Sequence, residues 1–276
     1  MSQTLKEFIR ETCSKMKNQN IQSIDLELMA CNLFDINRSR LLSYNIPLNQ
    51  ERKTQLLSMI KRRNSGEPLA YILGKREFWN VELKINEQVL VPRPETETLI
   101  DDVLLNFKQY RFSVLDLGTG SGAISLALKK EREGWSVFSS DFSEKALRIA
   151  KANSLKNKLN IFLACSDWLD AFKPSSFDLI ISNPPYIKED DHRLKADGLS
   201  HEPRSSLVSG PLGIEDLFTI SSSSQHFLKK GGWLYLEHSP EQAEELKFSL
   251  QDLGYMNITQ LTDLNGDKRA IKALSI

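Results

Sequence analysis

From Met1 to about Leu73 the apolar residues recur at helical spacing: Leu5, Phe8 and Ile9, then Leu26, Met29, Ala30 and Leu33, then Leu56, Leu57 and Ile60. Stripes this short bury themselves only against one another, which predicts a small helical bundle. Ser23 ahead of Ile24-Asp25-Leu26-Glu27 predicts a helix start, because both acids then fall in the first turn, where the helix dipole favours negative charge. NSGEP, Asn64 to Pro68, ends the pattern. Phe78, Val81, Leu83 and Ile85 then suggest a hairpin turning near Trp79-Asn80. In VPRPETE, Val91 to Glu97, the two prolines disfavour helix before them, while Pro94 can open the helix that follows. These breaks predict a helical domain over residues 1–75, a β-hairpin linker over 76–95 and a further domain over 96–276.

In that last part extended apolar runs alternate with amphipathic ones. The runs are SVLDL at 113–117, SVFSS at 136–140, NIFLAC at 160–165, FDLIIS at 177–182 and GWLYLEH at 232–238. Alternation of this kind predicts an α/β, doubly wound sheet. Two more runs, Met256 to Leu261 and Ala270 to Leu274, flank DLNGDK, whose Asn265-Gly266 is a hairpin signal, so a seven-stranded mixed sheet with an antiparallel end is expected. Ser221 to Ser224 lies inside a helical pattern and reads as a solvated face.

Charge narrows the function classes. Lys plus Arg and Asp plus Glu number 36 each, which removes the broad basic field of a dedicated nucleic-acid binder. Cys13, Cys31 and Cys165 are odd in number and lack metal-ligand spacing, so they read as buried or neutral thiols in a reducing compartment, with no metal site. The start has no apolar signal-peptide core, and no apolar stretch is long enough to span a bilayer. A cytoplasmic location is expected.

The first strand of the α/β part runs into Asp116-Leu117-Gly118-Thr119-Gly120-Ser121-Gly122-Ala123. Glycines there allow a tight turn and let a ligand approach the backbone at a helix N-terminus. The second strand ends at Asp141, about where an acid accepts hydrogen bonds from a ribose. The loop alone leaves a nicotinamide cofactor and S-adenosylmethionine both open. Asp116 leans to the latter, since an acid at the loop mouth repels a pyrophosphate and suits a ligand carrying an ammonium and a sulfonium. After the third strand, Asp167 could accept from an adenine amino group and Trp168 could cover the ring.

FDLIIS ends in Asn183-Pro184-Pro185-Tyr186, where open α/β sheets place their ligands. Two prolines remove two N–H donors and aim carbonyls at a ligand; Asn183 adds a side-chain acceptor and Tyr186 a flat face. The target that fits is a planar –NH2 group, with two acceptors for its hydrogens and a ring against its plane. The expected reaction is N-methylation, driven by alignment and electrostatics. His192, His201, His226 and His238 show no pattern of a catalytic base.

NPPY after a glycine loop resembles the amino-group methyltransferases that use S-adenosylmethionine. The rest of the chain narrows the resemblance to the protein-(glutamine N5) methyltransferases of peptide chain release factors, the HemK/PrmC type. The segments that carry it, in order, are GEPLAYILGKREFWNVEL, VLVPRPETETLI, LDLGTGSGAISLAL, SNPPYI, HEPRSSLVSG, GGWLYLEHSPEQAEEL and GDKRAIKA. The resemblance implies a helical domain that docks the release factor, a hairpin linker and a Rossmann-like methyltransferase domain. It implies cofactor contacts from Gly118, Thr119, Gly120, Ser121, Gly122, Asp141, Asp167 and Trp168. Asn183, Pro184, Pro185 and Tyr186 would hold the glutamine of the Gly-Gly-Gln motif, with Asn183 touching both ligands. Arg93, Thr96 and Glu97 would line the cleft. SGPLGIEDL departs from the family's usual Asp-Gly before the leucine, which bears on the conformation of the 188–211 lid and not on the chemistry.

The implied substrates are S-adenosylmethionine and class 1 release factors, acted on by a monomer. The rival reading is methylation of an adenine or guanine amino group in DNA or RNA. The balanced charge disfavours it, because such enzymes need a basic surface to meet phosphate.

Overall fold

The computed structural model of the chain describes residues 3–15, 21–195 and 198–276. These fall into two compact units, Met1–Gly74 with Lys195–His201, and Lys75–Leu194 with Glu202–Ile276.

Among its described residues the first unit holds the α-helices α1 (Leu5–Lys15), α2 (Ser23–Phe34), α3 (Arg38–Ser43), α4 (Gln50–Asn64) and α5 (Leu69–Leu73). Leu5, Phe8, Leu26, Met29, Leu56 and Ile60 from the stripes of the sequence pattern meet in one core with Leu41, while Leu57 is exposed. Asn37 and Asn49 cap α3 and α4, accepting from the backbone N–H of Arg40 and Arg52 at 2.8 Å each. Ser23 is the first residue of α2 and the cap position is Gln22, which makes no side-chain capping bond. Asp25 instead accepts from Arg63 Nε at 3.0 Å, tying α2 to α4.

The second unit opens with the antiparallel hairpin β1 (Lys75–Phe78) and β2 (Val81–Lys84), which turns at Trp79-Asn80. A 3-10 turn at Pro94–Thr96 leads into α6 (Glu97–Asn106). Then come β3 (Ser113–Leu117), α7 (Ala123–Glu131), β4 (Ser136–Asp141), α8 (Glu144–Asn157), β5 (Phe162–Cys165) and β6 (Phe177–Ser182). The chain closes with α9 (Glu215–Phe227), β7 (Leu228–Glu237), α10 (Ala243–Asp252), β8 (Met256–Thr262) and β9 (Lys268–Leu274). Strand order is β5-β4-β3-β6-β7-β9-β8. Neighbours from β5 through β7 run parallel, and β9 pairs antiparallel with both β7 and β8. The seven-stranded mixed sheet is therefore the observed one. Because β4 and β5 are added on one side of β3 and β6 on the other, a crevice opens at the C-terminal ends of β3 and β6.

The hairpin is built into this unit. Asn153 on α8 accepts from Lys84 N at 2.6 Å and donates to Lys84 O at 3.1 Å and to Ser121 O, in the glycine loop, at 2.9 Å. Asn157 donates to Glu82 O at 3.0 Å, and Glu97 accepts from Trp79 N at 2.9 Å.

One sequence expectation is corrected in part. Of Ser221 to Ser224, Ser222 is exposed and Ser223 half-buried, but Ser221 and Ser224 are 0% exposed; their small side chains let α9 pack closely on β7 and α10, and Tyr255 donates to the Ser221 carbonyl at 2.8 Å. Cys165 ends edge strand β5 and is exposed, whereas Cys31 is buried and Cys13 half-buried.

Candidate active site

Between β3 and α7 the backbone turns through Gly118, Gly120 and Gly122, each at positive φ (67°, 55° and 83°), a region that side-chain-bearing residues avoid. At Gly118 the positive φ is what favours glycine, since an added Cβ would only reach ordinary contact with the Trp168 ring at 3.6 Å. Asp141, at the end of β4, shapes the loop from below. Its Oδ2 accepts from Gly120 N and its Oδ1 from Ser143 N, both at 2.8 Å, while burial pushes the carboxyl above its usual range.

A cavity of about 280 Å³ opens above this loop. Gly118, Gly120, Asp141, Asp167, Trp168, Asn183 and Pro185 all line it. Its polar points include the carboxylates of Asp141, Asp167 and Asp216 and the amides of Gln88 and Asn183; its walls include Leu90, Phe142 and Trp168. A larger groove of about 920 Å³ runs beside α6 and β8, lined by Glu97, Asp101, Asp102 and Leu261. It contains no residue of the glycine loop or of NPPY, which the smaller cavity brings together.

The remaining expected residues sit around the cavity and not on its wall. Thr119 and Ser121 are buried in the turn. Gly122 starts α7, where a Cβ would meet Leu126 Cδ1 at 3.3 Å and Ala150 Cβ at 3.4 Å. Arg93 is ion-paired with Glu202, whose other oxygen accepts from Val91 N at 2.9 Å. Thr96 accepts from Asn183 Nδ2 at 3.1 Å. Glu97 serves the hairpin through Trp79 N and lines the larger groove.

Asp116 is not at the loop mouth. It is 1% exposed, and its Oδ2 collects the Thr119 hydroxyl at 2.6 Å and the Ser125 hydroxyl and N–H at 2.7 and 3.2 Å. These donors draw the carboxylate under the loop, and Oδ1 has no partner among the described residues. Burial pushes the carboxyl up to about 6 against the effect of those hydrogen bonds.

The NPPY segment follows β6, which Ser182 anchors by donating to Leu117 O at 2.7 Å. With its Nδ2 donating to Thr96, Asn183 has its amide oxygen left as acceptor. The Tyr186 hydroxyl donates to Glu237 Oε1 at 3.1 Å, and the Tyr186 carbonyl accepts from Gln242 Nε2 at 3.0 Å. Burial holds the Tyr186 hydroxyl protonated. His238 is buried with its ring between Ser239 O (2.8 Å) and Gln260 Oε1 (2.9 Å), and none of the four histidines lines the cavity.

Sequence reading missed Phe142, 78% exposed and on the cavity wall beside Asp141. Its signal was an aromatic residue placed straight after a strand-ending acid. It also missed Glu237, hidden inside the apolar run GWLYLEH.

Two family models match the chain: the methyltransferase small domain over residues 96–210 and the PrmC N-terminal domain over residues 7–74. The release factor glutamine methyltransferase of Coxiella burnetii is 39% identical over 253 residues, 91% of each chain. The protein of the same name from Escherichia coli is 33% identical over 264 residues, 95% of each. Among solved structures, a methyltransferase from Pyrococcus furiosus superposes with a TM-score of 0.54 at 16% identity, covering 83% of this chain and all (100%) of its own. The Thermus thermophilus 16S rRNA N2 G1207 methyltransferase, in complex with AdoMet and guanosine, gives 0.53 at 18% identity over 73% of this chain and 50% of its own. At such identities these two structures establish the fold.

Proposed function

The chain belongs to the release factor glutamine methyltransferase family, and from that premise we propose that it methylates the side-chain amide nitrogen of the glutamine in the Gly-Gly-Gln motif of class 1 peptide chain release factors. The observation that carries the proposal is that Asn183 and Pro185 line the same cavity as Gly118 and Asp141. An amide clamp and an adenosine-type site then share one space.

The residues fit S-adenosylmethionine. Asp141 offers carboxylate lone pairs to ribose hydroxyls, Asp167 can accept from an adenine amino group, and Phe142 and Trp168 offer flat apolar walls. When bound, S-adenosylmethionine supplies an electrophilic methyl group on sulfur. The chain's own residues do the rest. Asn183 Oδ1 and the Pro184 carbonyl accept the two amide hydrogens; no hydrogen bond from a described residue occupies that carbonyl. Tyr186 packs flat on the amide, and together they aim a poorly nucleophilic nitrogen along the line of transfer. Holding both hydrogens also favours the nitrogen's lone pair as the N–C bond forms and the S–C bond breaks; one of the two hydrogens then leaves to water as a proton, giving the neutral N-methyl amide. The reading includes action as a monomer in the cytoplasm. No helix among the described residues is long and apolar enough to cross a membrane.

Incubation with labelled methyl donor, a release factor, its Gln-to-Ala variant and bulk nucleic acid tests the proposal. Label that requires the glutamine supports it; label on nucleic acid alone overturns it. Asp141→Ala is expected to weaken donor binding by about 1.5 to 3 kcal/mol, the cost of a lost hydrogen bond to a charged group. It also frees Gly120 N. Calorimetry returning the wild-type dissociation constant would remove Asp141 from the donor site.

A further inference from the structure

Behind the aromatic ring of NPPY lies a carboxylate that the mechanism above does not use. Glu237 ends β7, the strand paired with β6, and is 1% exposed. Its Oε1 accepts the Tyr186 hydroxyl at 3.1 Å, and its Oε2 has no hydrogen-bond partner among the described residues. A carboxylate this deep, with one oxygen unmatched, costs the fold free energy that an apolar side chain such as leucine would not.

The groups that face it come from every neighbouring element. Arg269 on β9 acts on both Glu237 and Tyr186, and is itself tied to Asp263 at 3.3 Å. From the turn before α6 the Thr96 hydroxyl, like that of Tyr186, favours the ionised form of Glu237, and the Glu95 charge opposes it. Arg93 and Arg193 act on Tyr186. His238, next in the chain, has both ring nitrogens engaged elsewhere. The Tyr186 backbone is pinned independently, by Gln242 Nε2, which also donates to Gly213 O at 2.7 Å. With the main chain fixed by Gln242 and one side of the ring packed on the core, the freedom left at the ring's tip depends on what holds its hydroxyl.

We propose that Glu237 is a positioning residue for methyl transfer: as a carboxylate it grips the Tyr186 hydroxyl and so sets the plane of the ring against which the target amide packs. The inference rests on the amide-methylating reading of the site. No proton leaves Tyr186, whose hydroxyl burial keeps protonated. The grip is strong while Glu237 is ionised, since a charged acceptor holds an O–H about twice as firmly as a neutral one. Protonation weakens it and lets the ring tilt. Burial pushes the Glu237 carboxyl up to about 7, so the change falls within the pH range of an ordinary assay. Loss of alignment appears in kcat and leaves the docking of a large protein substrate untouched.

The test is kcat and KM for release-factor methylation against pH, for the wild type, Glu237→Gln, Tyr186→Phe and the double variant. Wild-type kcat is expected to fall as pH drops through neutrality. Both single variants are expected to lose that limb and about tenfold in kcat, with KM for the release factor within about twofold. The double variant is expected to stay at about the tenfold loss of either single variant and not reach a hundredfold, because the two residues act as one unit. A wild-type pH limb retained in Glu237→Gln, or multiplicative losses in the double variant, would overturn the proposal.

A substrate-free arm separates it from the functional reading. With carboxyl-13C glutamate, the resonance missing from Glu237→Gln should titrate near neutral pH and the Tyr186 ring signals should move with the same midpoint. Ring signals indifferent to that titration overturn the proposal even in a protein that labels no release factor. A wild type without release-factor activity whose ring follows the titration instead overturns the substrate assignment alone.

Discussion

Asn183→Ala is expected to lower kcat for methyl transfer by about two to three powers of ten, the loss seen when one preorganised hydrogen-bond partner at a reacting centre is removed. The geometry makes the effect specific. Thr96 takes one amide hydrogen of Asn183 at 3.1 Å, which leaves the amide oxygen as the atom available to the target –NH2. Alanine removes that acceptor and leaves the Thr96 hydroxyl to rotate to another partner, a small cost away from the main core. Asn183 is half-buried at the end of β6, and the strand itself is held by Leu117, Leu179 and Leu234, so the fold should survive. Circular dichroism and unfolding midpoint are the controls. Native spectra together with undiminished kcat would remove Asn183 from the chemistry.

The second large effect is on stability. Two carboxyls, Asp116 and Glu237, are buried and raised, to about 6 and about 7 from 3.8 and 4.5. A carboxyl raised on folding contributes stability in full below its unfolded value and loses it as pH climbs through the folded one. The windows here are 3.8 to about 6 for Asp116 and 4.5 to about 7 for Glu237. At roughly 1.4 kcal/mol for each pH unit that separates the folded from the unfolded value, each loss is on the order of 3 kcal/mol. The ligand-free protein should therefore be markedly less resistant to urea at about pH 8 than at about pH 5. Glu237→Gln isolates one share: its stability should match the wild type near the lower pH and exceed it by about 2 kcal/mol at the higher one, after the cost of an unpartnered amide. Parallel stability curves for the two proteins would show that Glu237 does not titrate on unfolding. A variant that is more stable yet slower is the trade expected of a carboxylate kept for function.

What could be read from the chain and what could not divide on physical grounds. SVLDL and FDLIIS were legible because central parallel strands, buried on both faces, must be written as continuous apolar runs. The glycine loop and NPPY were legible because positive φ and missing N–H groups demand particular residue types at fixed places. Asp116 misled, because its neighbours in sequence place it at a loop mouth while Thr119 and Ser125 draw it beneath. Ser221 and Ser224 misled because polarity says nothing about how closely a helix is packed. Glu237 could not have been singled out: its task depends on Tyr186, a residue from another strand end. Arg93 and Thr96 stood out as site candidates, but only the fold shows that one meets Glu202 and the other Asn183.

The hairpin has a practical consequence for anyone dissecting this chain. Spacing alone marks residues 76–95 as a connector that could be cut away, leaving a fragment from residue 96 onward. Phe78, Val81, Leu83 and Ile85 are buried in the second unit, and Asn153 ties Lys84 to the Ser121 carbonyl. A fragment that starts at residue 96 would expose an apolar face on α8 and deprive Asn153 of two of its three hydrogen bonds beside the glycine loop. The place to cut is ahead of Lys75, where α5 ends at Gly74.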